Sequence, residues 1–165
     1  MRLSDHALRE LTEGTLLATI LLGAQEGGRP LNEASWILLG AALTTLADAY
    51  ATHLSDRGHD DVRAYVGSIW LGIVENSPRT IACFPAVVLL MCAWVFHWGS
   101  DHRNPDGTAV AGYETLVLNV NVMLLFVFGF LAARRSGASV RGTIVFGLMN
   151  AALGWLIVTV ELAID

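Results

Sequence analysis

The chain has 165 residues, of which 54% are hydrophobic and only 15% charged, with a net charge of −5. Soluble domains carry roughly a quarter charged residues spread among the apolar ones. Here the charges cluster between long bare runs, which excludes an ordinary soluble domain and is the pattern of a membrane protein. The acidic balance argues against nucleic acid as a partner, and the length fits a single membrane domain over 1–165.

Taken in order, the first helix is expected near Asp5–Gln25 with Ser4 as its N-cap. Its first two turns are amphipathic, and Thr15–Ala24 is apolar. The polar N-terminal stretch lacks a cleavable signal pattern, so this segment is expected to remain in the mature protein. Gly27, Gly28 and Pro30 supply a turn, and a second helix follows Asn32 from about Glu33 to Leu54. Asp61–Val74 is amphipathic, too short to cross a bilayer, and carries Tyr65 and Trp70, which predicts an interfacial helix. Ser77 as cap and Pro78 at the first helical position open the next helix, which runs to about Trp98. Gly99–Gly112 is a loop with turn chemistry at Asn104-Pro105-Asp106-Gly107. A further helix spans about Tyr113–Ala133, is broken by Arg134-Arg135-Ser136-Gly137, and is followed by a last helix over about Val140–Ile164.

Crossing the hydrocarbon core takes ~20 residues. The first segment reaches that length only if Glu10 and Glu13 are included. The fold class predicted is all-α: a polytopic membrane protein with five transmembrane helices plus a short interfacial helix. With the N-terminus in the cytoplasm, Arg2, Arg9, Arg57, Arg63, Arg79, Arg134, Arg135 and Arg141 fall inside, and Arg29 and Arg103 outside. Eight against two is a positive-inside bias. Trp36, Trp94, Trp98 and Tyr113 then mark an outer aromatic belt, and Asp165 lies outside. The expected location is the cell membrane, with lipid as the surrounding partner. Cys83 and Cys92 are nine residues apart in one helix, too distant to bridge.

Ionisable side chains inside spans are costly and point to function. Glu114 and Glu161 sit at outer helix ends near water. Glu13 and Asp48 lie deeper, each roughly 9–12 Å inside the cytoplasmic face at 1.5 Å of rise per residue. The first two helices are antiparallel neighbours, so these carboxylates can reach one level. Two acids in low dielectric repel, so one holds a proton or both share a cation. The alternative is that each acid separately meets a backbone group, Arg9 or Arg57. Thr44 and Thr45 can add oxygens to a metal site, as can Thr12 and Thr52. Asn119, Asn121 and Asn150 suit hydrogen bonding between helices. His53, Asp56, His59, Asp60 and Asp61 form either a metal entry point or a solvated acidic loop, and His97, Asp101 and His102 pose the same choice on the other side. No di-iron pattern, paired-cysteine motif, phosphate loop or nucleophile elbow occurs. An enzyme is not expected, nor is a permanently bound cofactor such as haem.

Three stretches carry a resemblance to a known family. They are Leu8-Arg9 with Thr12-Glu13-Gly14; Leu43-Thr44-Thr45 with Tyr50-Ala51-Thr52 and Ser55-Asp56-Arg57; and Leu125-Phe126, Gly129, Ala133-Arg134 and Ser136-Gly137-Ala138-Ser139. Together with Pro78 they resemble the vacuolar iron transporter (VIT) family, in a bacterial form lacking the cytoplasmic metal-binding helices. The resemblance implies a five-helix protomer, a homodimer, and proton-coupled export of Fe²⁺ or Mn²⁺ as the transported ion. It places the family's essential helix-one acid at Glu13, its metal-binding Met at Thr45, and its helix-two Glu at Ala49, beside Asp48. A different class remains open: a non-transporting accessory subunit of a membrane complex, with a partner membrane protein docking on the amphipathic Asp61–Val74 helix.

Overall fold

The computed structural model describes residues 5–25, 28–55, 62–106 and 108–164. Six helices are present among them: α1 (Asp5–Gly23), α2 (Pro30–Ser55), α3 (Val62–Glu75), α4 (Ser77–Val95), α5 (Tyr113–Arg135) and α6 (Val140–Ile164). The loop between α4 and α5 holds two minimal strands, β1 (His102–Arg103) and β2 (Ala109–Val110), paired antiparallel with His102 opposite Val110. The sequence reading had only a turn there. Asp106 Oδ1 accepts from the Thr108 amide at 3.0 Å and its hydroxyl at 2.6 Å, closing the tip.

Four helices are long and apolar enough to cross a membrane: Pro30–Ala51, Ser77–Val95, Tyr113–Arg135 and Val140–Ile157. The core they enclose is built from small side chains. Ala18, Ala34, Ala41, Ala86 and Ala93 are buried with Ile37, Leu90 and Val117. Large apolar residues face outward, among them Trp36, Leu43, Phe84, Val88, Met123, Phe146, Met149 and Trp155. Small residues inside and bulky apolar ones outside are the reverse of a soluble bundle, and together with the four long apolar helices they describe a multi-pass membrane protein.

α4 packs between α1 and α2, while α5 packs on α6 and α1. On the α5–α6 seam, a Cβ at Gly147 would lie 2.8 Å from the Phe126 ring and one at Gly154 2.9 Å from Leu125. Hydroxyls inside the bundle are satisfied by their own helices: Thr12, Thr15, Thr19 and Thr143 each bond the carbonyl four residues back.

Several helix ends differ from the sequence reading. α2 starts at Pro30 because the Arg29 carbonyl accepts from the Asn32 and Glu33 amides at 2.8 and 3.1 Å, so Asn32 lies inside the first turn and is not the cap. The N-cap position of α4 is Asn76 instead of Ser77, and the Asn76 side chain makes no capping hydrogen bond. It stops at Val95, before Trp98, because His97 takes a left-handed φ of 54° and the Trp98 amide turns back to the Ala93 carbonyl at 2.9 Å. This is the Schellman closure with a histidine where glycine is usual.

Candidate functional site

α1, α2 and α4 converge at one level through residues that permit close approach. A Cβ at Gly14 would collide with the Arg79 carbonyl and lie 2.9 Å from Ala82 Cβ, so α1 touches α4 there only as glycine. The Cys83 thiol donates across the same contact to the Gly14 carbonyl at 3.4 Å. Arg79, just inside α4 behind Pro78, therefore meets the α1 face that carries Glu10 and Glu13. These two acids are three positions apart and share that face. On the other side the Thr45 and Thr80 hydroxyls lie 3.2 Å apart and join α2 to α4. Asp48, one turn beyond Thr45, then reaches the same guanidinium.

The result is one arginine serving three carboxylates. Arg79 Nη2 donates to Glu13 Oε2 at 2.5 Å, and Nη1 donates to Asp48 Oδ2. Nε lies 3.0 Å from Glu10 Oε2, out of line for a hydrogen bond, so that pair is held by charge alone. Arg9 Nε donates to Glu13 Oε1 at 2.7 Å. His6 lies 3.8 Å from Glu10 and 3.7 Å from Glu75. The cluster is graded in burial: the side chains of Glu10 and Arg79 are 4% and 11% exposed, those of Glu13 and Asp48 36% and 47%. Three carboxylates face two guanidiniums, an excess of one negative charge. Beside the cluster, a cleft of ≈ 360 Å³ opens between α1, α5 and α6, lined by Arg9, Thr12, Gly129, Arg135 and Asn150.

Glu13 and Asp48, expected to reach one level, do so, with Arg79 between them. The alternative pairing of Glu13 with Arg9 is also present. Thr44 is turned back on its own helix, at 3.0 Å from the Gly40 and Ala41 carbonyls. Thr45 faces Thr80. The backbone of His53 lies in the last turn of α2, but its side chain is outside what the structure describes, as are residues Asp56, His59, Asp60 and Asp61. Among the described residues no group of three or more His, Cys, Asp or Glu is arranged to hold a metal ion. Asn119 and Asn150 donate to carbonyls of their own helices at 2.8 and 3.0 Å. Asn121 is fully buried with no partner for either side-chain atom among the described residues.

Sequence reasoning missed Arg79 and Glu10. Arg79 counted only as an inner-face charge, and Glu10 as part of the amphipathic first two turns. The available signal was an arginine at the start of an apolar helix, directly after Ser77 and Pro78.

A second polar group lies at the other end of the bundle. The Tyr113 hydroxyl is 2.9 Å from Glu33 Oε1 and 2.8 Å from the Gly28 carbonyl. Nearby, Asp101 caps α5 by accepting from the Gly112 amide and the Thr115 hydroxyl, while its own amide donates to Glu114 Oε2 at 2.7 Å.

No family model matches the chain, and no curated protein or solved structure is significantly similar to it. The class defined by fold and composition is thus a helical multi-pass membrane protein with a charged cluster between three of its helices.

Proposed function

We propose that the protein is a divalent-cation transporter that exports Fe²⁺ or Mn²⁺ from the cytoplasm in exchange for protons. The observation that carries this reading is the gathering of Glu10, Glu13 and Asp48 on Arg79. The guanidinium acts as a tethered counter-ion. Its charge offsets theirs while no cargo is present, and its long stem lets it withdraw when a cation arrives. A divalent ion carries twice its charge and takes oxygen ligands. Glu13 and Asp48, the more exposed acids, receive the ion, with Thr44 and Thr45 supplying oxygens after a rotamer change. A site without thioether sulfur favours Mn²⁺ over softer ions. The resemblance of Glu13-Gly14 and the α2 stretch to the VIT family supports the same cargo.

The topology that goes with this function has five spans. α1 joins the four long apolar helices because Arg79 and Arg9 neutralise Glu10 and Glu13, the residues that otherwise bar it from lipid. α3 lies in the interface beside the inner ends, and the arginine bias sets the N-terminus in the cytoplasm of a cell-membrane homodimer. The test is Mn²⁺ and Fe²⁺ flux into proteoliposomes under a pH gradient. Wild type is expected to load metal, and Glu13→Gln and Asp48→Asn to abolish loading.

One observation favours a second reading. Each carboxylate of the cluster already has a cationic partner, as in a structural lock. No flux from folded, inserted wild type would favour an accessory subunit, and a stoichiometric membrane protein should then copurify with it.

A further inference from the structure

Glu33 lies in the first turn of α2 and is 0% exposed. None of the ion pairs among the described residues includes it. Its Oε2 has no hydrogen-bond partner among those residues. Its Oε1 is 2.9 Å from the Tyr113 hydroxyl, which is itself 2.8 Å from the Gly28 carbonyl. Gly28 is fitted to this side chain, since a Cβ there would lie 2.7 Å from Glu33 Oε1.

The count of hydrogens decides what this arrangement is. A phenol carries one hydrogen, and a backbone carbonyl can only accept. If Glu33 were ionised, one of the two short oxygen–oxygen contacts would have no hydrogen in it, and a buried charge would keep one oxygen unpaired. If Glu33 is protonated, its O–H donates to Tyr113 and the Tyr113 O–H donates to Gly28. Both contacts are then filled and no charge is buried. The surroundings agree. Asp101 and Glu114 supply negative charge at this end, while Arg29, His97 and His102 are all exposed.

We propose that Glu33 is a proton-binding site, occupied in the structure described, whose proton closes the chain Glu33–Tyr113–Gly28 and so ties α2 to α5 and to the α1–α2 connection. Its ligand is a proton from the aqueous phase at this end, reached along a cleft of ≈ 460 Å³ lined by Trp98, Ser100, His102, Gly112 and Tyr113. Deprotonation leaves one hydrogen for the two contacts and so opens one link of the chain. The site goes beyond the cargo reading, since it lies at the opposite end of the bundle from Arg79 and does not depend on what the protein carries.

Infrared difference spectroscopy of the full chain in lipid nanodiscs tests it without any flux measurement. At pH 7 wild type should show the carbonyl stretch of a protonated carboxyl. Glu33→Gln should lose that band, and Tyr113→Phe should shift it by removing the acceptor. No such band, or one unchanged in both variants, overturns the proposal. If Glu33→Gln fails to insert, the Tyr113→Phe spectrum decides alone: a shifted band supports the site and an unshifted one rejects it. A thermal series adds a second readout. The wild-type midpoint should fall as pH rises from the ordinary carboxylate range through neutrality, where the unfolded chain has lost this proton and the fold still holds it, and Glu33→Gln, which keeps a donor but cannot titrate, should lack that fall. Parallel profiles overturn the proposal.

Discussion

Replacing Arg79 by Leu leaves Glu10, Glu13 and Asp48 facing one another with Arg9 and His6 as the basic side chains beside them among the described residues. Removing one partner of a buried ion pair costs about 3–5 kcal/mol, and the water-exposed side of Glu13 and Asp48 places this case at the lower end. Thermal unfolding in nanodiscs should therefore show a large loss for Arg79→Leu. Arg79→Lys should recover only part of it, because an ammonium cannot fork between three acids. Recovery to wild-type stability by Lys would mean that charge alone, and not geometry, holds the cluster. Gly14→Ala is expected to be destabilising by about 1–3 kcal/mol as the new methyl forces α1 off the Arg79 carbonyl. That the two acids would meet was legible from rise per residue and a short connection. That they meet on Arg79 was not, because nothing in a linear pattern states which face of α4 turns toward α1; the glycine contact decides it. Glu33 was hidden for a related reason: a carboxylate in the first turn of a helix reads as dipole compensation, and only the close fit of Gly28 and Tyr113 reveals that it is sealed from water.

Among the elements, the ends of α4 and α5 offer a matched comparison. Both close with a left-handed residue, His97 at φ 54° and Gly137 at φ 81°. A side chain in that region costs roughly 1–2 kcal/mol. His97→Gly should thus raise the unfolding midpoint and Gly137→Ala lower it by a comparable amount, both read by thermal denaturation. Equal effects of the same sign would show that contacts, not backbone, govern these ends. The last helix was read from the sequence at Val140–Ile164, its observed bounds, because the Arg-Arg-Ser-Gly break admits one interpretation. The end of α4 was misplaced because Gly99 looked like the stop and histidine rarely is one. In the hairpin, hydrogen bonds from the Thr108 hydroxyl and amide hold the Asp106 carboxyl below its ordinary range. A depressed carboxyl gives order that is present above its unfolded value and lost as acid protonates it in the fold. Protection of the Thr108 amide against exchange should accordingly persist at neutral pH and fall only in acid below the usual carboxylate range, with Asp106→Asn, which keeps an acceptor but cannot titrate, removing that pH dependence.

At the scale of the whole molecule, the bundle carries its two polar groups at opposite ends, with alanine-rich packing between them. The class of the protein was legible because the bilayer admits few ways to bury a backbone, and runs of apolar residues declare it. The pairing of helices was less so, since apolar faces in lipid carry no inside–outside pattern to read. The contact between Gly14 and Arg79 has one more consequence, for how the chain is made. Glu13 has Arg9 on its own helix, but Arg79, the guanidinium it shares with Glu10, lies 66 residues further on. A ribosome must therefore synthesise α2, α3 and the start of α4 before the acids of α1 meet that second charge. The first helix to emerge should be among the last to settle, held at the membrane surface until α4 arrives. Chains truncated before Arg79 should leave a cysteine placed at position 12 open to an aqueous thiol reagent, and chains extended through α4 should protect it; protection in both would show that α1 inserts unaided.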